Sequence, residues 1–246
     1  MNTVKAIFTK QLNDVFKNPT VTMMFIMFPL MAFAFVNFMD VEDPFTIVSG
    51  LAISSMMIMP IMGIATYIAE DVEYRSLRFL IMAGVKPVQY LAGLASFVLV
   101  LSFFAMVLFG FIGELSGSDL GMFLLVSFLG CFVALLIGAV VGLFSKNIQQ
   151  ANLIGTTVGM VLGFMPMFSI FNPDMIQATY YFFPQQISII LNYMALGGGA
   201  QAMEFFNDLG IYEVDLMYSG LIILGNAAVF VGLFIFIYKK KGLSGE

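Results

Sequence analysis

Every Lys and Arg of this 246-residue chain falls in alternate gaps between its long apolar stretches. Lys5, Lys10 and Lys17 precede the first stretch, and Arg75, Arg78 and Lys86 separate the second from the third. Lys146 separates the fourth from the fifth, and Lys239, Lys240 and Lys241 follow the last. The other gaps carry only acids: Asp40, Glu42 and Asp43; Glu114 and Asp119; then Asp174, Glu204, Asp208, Glu213 and Asp215. Loops retained on the cytoplasmic side of a membrane keep Lys and Arg, and translocated loops lack them. The pattern predicts an all-α integral membrane protein of six spans with both termini in the cytoplasm. A cell membrane is the expected location. The composition fits, at 61% hydrophobic, 10% charged and a mean hydropathy of +0.99. The net charge of −5 hides a basic face and a purely acidic one, so contact with anionic inner-leaflet lipids is expected on the basic side.

Residues 1–17 read as an interfacial helix. Val4, Ile7, Phe8, Leu12, Val15 and Phe16 recur at three- and four-residue spacing, with Lys5, Lys10, Asp14 and Lys17 on other faces. Such a helix lays its apolar stripe in lipid. Spans are expected at about 20–39, 45–69, 88–112, 120–144, 153–171 and 216–238, since some twenty residues cross a hydrocarbon core of roughly 30 Å. Pro29 and Pro60 fall inside the first two. Residues 1–241 form one domain, followed by a short tail, 242–246. The stretch from Asn172 to Asp215 is too apolar for a solvated loop. Taking 175–196 as a seventh span would move Lys239–Lys241 to the acidic side, against the charge pattern. With Pro184 at its centre and Gly197–Gly199 at its end, residues 174–199 read as re-entrant helices at the outer face.

Several chemistries are excluded. The chain has no His, so Ser-His and Cys-His pairs and His-ligated zinc are out of reach. No acid falls within a predicted span, no phosphate-cradling Gly-Lys-Ser/Thr loop occurs, and the lone Cys131 lies mid-span. No catalytic residue, metal or cofactor is expected in this chain, and nucleic acid is not an expected partner. Gly138, Gly142, Gly155, Gly159 and Gly163 recur at four-residue spacing, a signature of close helix contact within one subunit or between two. Span hydroxyls mostly serve backbone bonding, but some could line a path. Met-rich stretches, Met23, Met24, Met27, Met56, Met57 and Met59 with Met160, Met165 and Met167, could form a deformable apolar surface.

The gap between spans two and three, about 71–82, reads as a short helix. Glu70, Asp71 and Glu73 stand ahead of Arg75 and Arg78 as its dipole favours, and Tyr74, Leu77, Leu80 and Ile81 share an apolar face. A ridge of this kind suits a groove on a soluble partner. This arrangement resembles the permease subunit of type-2 ABC exporters, whose segment reads approximately E-x-G-T-L-x-x-L-L. Here it runs Glu73-Tyr74-Arg75-Ser76-Leu77-Arg78-Phe79-Leu80-Ile81, followed by Lys86-Pro87 and Gly93-Leu94, with Arg75-Ser76 in place of Gly-Thr.

The resemblance implies an interfacial helix, six spans, a coupling helix and re-entrant helices before the last span. It implies a dimer of permease chains, identical or not, clasping cytosolic ATP-binding cassette subunits that hold ATP and magnesium. Glu73, Tyr74, Arg75, Leu77, Arg78, Leu80 and Ile81 would then couple to the ATPase, with Ser145–Gln150 as a second contact. Met27, Ser54, Ser55, Met59, Thr156 and Met160 are candidates for the translocation path. Amphipathic or hydrophobic cargo is expected, peptides such as toxins or antimicrobials before lipids or drugs. An ion-coupled carrier would need a mid-membrane ionisable group. A non-transporting scaffold is the other alternative.

Overall fold

The computed structural model describes residues 3–15, 19–38, 43–82, 84–169 and 171–241, without the side chains at 19–22, 24, 77, 78, 81, 87 and 241. It is helical throughout, with no strand among the described residues. The helices are α1 (Thr3–Val15), α2 (Pro19–Phe38), α3 (Pro44–Glu73), α4 (Ser76–Met82), α5 (Pro87–Ile112), α6 (Gly117–Phe144), α7 (Ile148–Ser169), α8 (Pro173–Thr179), α9 (Phe183–Ala195), α10 (Gly199–Asp208) and α11 (Leu216–Lys241). Among the described residues α3, α5, α6, α7 and α11 are long and apolar enough to cross a bilayer. The 20-residue α2 carries an apolar run over Phe25–Phe38. Asp40, Glu42 and the tail 242–246 lie outside the described residues, as do Met1, Asn2, Phe16 and Lys17 of the expected interfacial helix.

Helix starts follow from their caps. Asp43 accepts from the Phe45 amide (3.1 Å) and the Thr46 hydroxyl (2.9 Å), with Pro44 opening α3. Asn172 caps α8 through the Asp174 amide, and Asp215 caps α11 through the amides of Met217 (2.8 Å) and Tyr218 (3.2 Å). Asp119 sits in the first turn of α6. Much of the acid-only end is thus negative charge placed at helix N-termini, where the dipole favours it.

The core forms around α3, whose Ala52, Met56, Met57, Met59, Ile61 and Ile68 are fully enclosed. The five glycines singled out by spacing all face this one helix. A β-carbon on Gly138 of α6 would lie 2.6 Å from the Ile61 Cα, and one on Gly142 3.1 Å from the Ala65 Cα. On α7 the corresponding approaches are Gly155 to Met62 Cα (3.3 Å), Gly159 to Ile58 Cα (2.8 Å) and Gly163 to Ser54 Cα (2.9 Å). The stripes therefore pack within one chain, and backbone touches backbone because no side chain intervenes.

The structure corrects three expectations. The apolar stripe of α1 lies on α5: Phe8 meets Phe97 edge-on at 5.8 Å, and Ile7 fits over Gly93. Gly93 lacks the β-carbon that would hold the two helices apart. The segment 174–199 forms two short helices, α8 and α9, in line with the expectation, but a further helix, α10, follows. Ala202 and Phe206 of α10 are buried, and Phe206 shares a small second core with Ile176, Ile189, Leu209 and Ile211. Finally, the methionines do not form one surface. Met56, Met57 and Met59 are internal, whereas Met23, Met27, Met160 and Met167 are exposed, and the Met24 side chain lies outside the described residues.

Replacing Gly138 by Val should lower the unfolding midpoint in detergent, at a cost of more than about 2 kcal/mol from overpacking. Gly50→Ala on α3, with nothing within 4 Å of the new methyl, should be neutral or stabilising by up to about 1 kcal/mol.

Candidate functional site

At the cation-bearing end, α3 runs on to Glu73, turns at Tyr74 and Arg75, and gives way to the seven-residue α4. The expected helix over 71–82 is therefore shorter, and its acids belong elsewhere. Glu70, Asp71 and Glu73 occupy the last turn of α3, where the helix dipole disfavours negative charge. Compensation comes from neighbours. Asp71 is only 5% exposed and accepts from the Tyr90 hydroxyl of α5 (2.6 Å) and from the Ser76 hydroxyl at the head of α4. Lys10 of α1 approaches it to 3.9 Å. Glu73 accepts from the Ile148 amide (2.8 Å), so its charge meets the positive end of α7. The same end of α7 is capped by Asn147 through the Gln150 amide (2.8 Å), while Gln150 accepts from the Lys146 amide (2.9 Å). Asp71 and Glu73 thus tie α1, α4, α5 and α7 to the end of α3.

The turn itself is strained. Arg75 has φ 57°, in the left-handed region. Gly enters that region freely, whereas other residues lose roughly 1–2 kcal/mol there. Arg75 therefore holds this turn under strain.

Beyond the turn, α4 presents Phe79 (65% exposed) and Met82 (66%) outward, and Tyr74 (67%) of the turn is exposed beside them. Leu80 instead packs against the main core and anchors the helix. The outward ridge is therefore Tyr74, Phe79 and Met82 rather than the face through Leu80. The side chains of Leu77, Arg78 and Ile81 lie outside the described residues. Phe79 and Met82 escaped notice because the periodicity of a seven-residue helix depends on where it begins, and the turn at Arg75 moves that start. Asp71, Lys10 and Tyr90 also went unassigned. The available signal was an acid closing a helix, which needs a donor from elsewhere.

The path candidates divide. Met27 of α2 and Met160 of α7 are about half exposed, at 50% and 48%. Ser54, Ser55 and Met59 are enclosed: Ser54 bonds the Gly50 carbonyl (3.1 Å), and Ser55 donates to the Met59 sulfur (3.0 Å). Thr156 donates to the Met62 sulfur across the α3–α7 seam (3.3 Å), one turn from the Thr66–Asn152 hydrogen bond. The structure brings Ser54 and Thr156 to that seam, and leaves Met27 and Met160 facing away from it. No group of acids and cysteines suited to a metal occurs among the described residues.

Substitutions at Tyr90 and Arg75 test the joint. Tyr90→Phe should cost roughly 1.5–3 kcal/mol, since it removes a bond to a charged, buried acceptor, and much less in an Asp71→Ala background. Denaturation of both series in detergent measures the coupling. Arg75→Gly should raise the unfolding midpoint, and Arg75→Val should lower it by about 1–2 kcal/mol.

A family model described as ABC-2 family transporter protein matches residues 45–238, from the start of α3 to near the end of α11. No curated protein matches the chain. The match spans well over half of the sequence and covers the long apolar helices, the α3–α4 joint and the small second core. This chain accordingly belongs to the ABC-2 family of transporter proteins and is a multi-pass permease subunit of an ABC transporter, a transport component rather than a catalytic one.

Proposed function

We propose that two permease chains of this kind form a translocation path for export, powered by separate cytosolic ATP-binding subunits that dock on α4. The observation that carries this reading is the exposed Tyr74–Phe79–Met82 ridge, held by a root bonded into four other helices. A docking helix transmits force only if its base is fixed, and Asp71 and Glu73 fix it. In this reading α2 is the first of six spans, both termini are cytoplasmic, and ATP and magnesium reside in the partner. Closure of the ATP-binding subunits would move α4 and swing the attached spans as rigid bodies. Amphipathic or hydrophobic cargo suits walls without mid-span charge, with peptides as the first candidates.

The double variant Phe79→Asp, Met82→Asp should lose co-purification with the ATP-binding subunit while keeping the native unfolding midpoint. Wild-type association by that variant would overturn the role given to α4. Orientation has its own test, because Cys131 is buried and gives little background. In a Cys131→Ser chain, Asp208→Cys should react with an impermeant maleimide on intact cells, and Lys240→Cys only after permeabilisation. The opposite pattern would reverse the topology.

A further inference from the structure

We infer that the acid-only end carries a recognition cleft for an organic ammonium group, formed where the chain breaks between α8 and α9. The cleft measures about 280 Å³ and is walled by Gln177, Tyr180, Tyr181, Tyr212 and Glu213. The buried Ile176 and Ile211 join it to the small second core, and the turn at Gly210 (φ 78°) brings Tyr212 and Glu213 over the tyrosine pair. Tyr180 and Tyr181 meet at 85° with ring centroids 5.3 Å apart, so they wall two adjacent sides.

Three properties select a cation on an organic body. Aromatic faces attract a cation within about 6 Å of the ring centre, most strongly where water is thinned. Glu213 adds a full negative charge at the same cleft. No Lys or Arg occurs anywhere between Lys146 and Lys239, so no internal cation competes, while Asp174, Glu204, Asp208 and Asp215 in that interval add to the negative field. A carboxylate or phosphate ligand would meet repulsion from every charged neighbour.

The walls are also held in place. At a helix break the freed carbonyls need partners, above all beside a membrane. The Tyr180 carbonyl accepts from the fully buried Gln186 side chain, and the Tyr181 carbonyl accepts from the Asn226 side chain of α11 (2.9 Å). These amides settle the backbone and fix the tyrosine corner before any ligand arrives, which lowers the ordering cost of binding. Quaternary head groups of lipids and amines of peptides or drugs share the recognised chemistry. The inference leans on the transport reading only for which side of the membrane the cleft faces. Binding is read on the purified chain.

The test is calorimetric titration of the full chain in a non-ionic detergent, with choline, with N-acetyl-lysine methylamide, and with 3,3-dimethylbutanol, the neutral isostere of choline. At least one ammonium should bind saturably, with the isostere weaker by about tenfold or more. Glu213→Gln and Tyr212→Ala should each weaken binding several-fold at an unchanged unfolding midpoint, because Tyr212 is 80% exposed. Tighter choline binding assigns the cleft to quaternary head groups, and tighter lysine binding assigns it to amines. Equal binding of the isostere, no saturable binding of either ammonium, or full affinity in both variants would overturn the inference. Loss of ATP-binding-subunit association alone would touch only the transport reading.

Discussion

Backbone contact along α3 is the constraint on which the rest of the structure depends. Lipid tails are as apolar as leucine, so helices gain little by leaving lipid for one another, and close packing must supply the association. Gly138 and Gly142 on one side and Gly155, Gly159 and Gly163 on the other let α6 and α7 reach the α3 main chain. Dispersion contacts then accumulate along two seams of one helix. The polar contacts of the α3–α7 seam, Thr66 to Asn152 and Thr156 to Met62, add direction to packing that would otherwise tolerate sliding.

The same helix carries the only strongly polar joint described at the cation-bearing end. A carboxylate as enclosed as Asp71 is tolerable because Tyr90, Ser76 and Lys10 all face it. The Lys10 contact is long and its side chain largely exposed, so it contributes under about 1 kcal/mol, and the two hydroxyl donors carry most of the compensation. Function and stability meet here, since the acids that hold α1, α5 and α7 to α3 also set the angle at which α4 leaves the bundle. The acid-only end is built differently. Asp43 and Asp215 cap helices there, and a small separate core supports the tyrosine cleft.

Much of this was legible beforehand, for reasons that can be named. Apolar length and cation placement are properties of whole segments, so helices α3, α5, α6, α7 and α11 emerged within a few residues of expectation. Glycine spacing announced intimate packing, but spacing alone does not name the partner helix, and α3 itself bears no mark of being central. Within α4 the sequence pattern misled because the break at Arg75 is a backbone event in a residue with no evident preference for it. The role of Asp71 depends on Tyr90, nineteen residues away on the next long helix, which no local window contains. The Tyr180–Tyr181 corner required the turn after α10, and that helix had not been anticipated.

Helices joined through their main chains do not slip past one another by the small side-chain rotations that ordinary apolar interfaces allow. Helices α3, α6 and α7 consequently behave as a single stiff beam, with α4 as a short crank fastened at one end. Helix α11 is attached differently, through Ile223 and Ala227 in the main core and the Asn226 bond to the Tyr181 carbonyl. The two ends of α3 lie some 45 Å apart by the rise of a thirty-residue helix, and the glycine contacts brace it on both sides of Pro60. A small angular change at the α4 end would therefore become its largest excursion at the other.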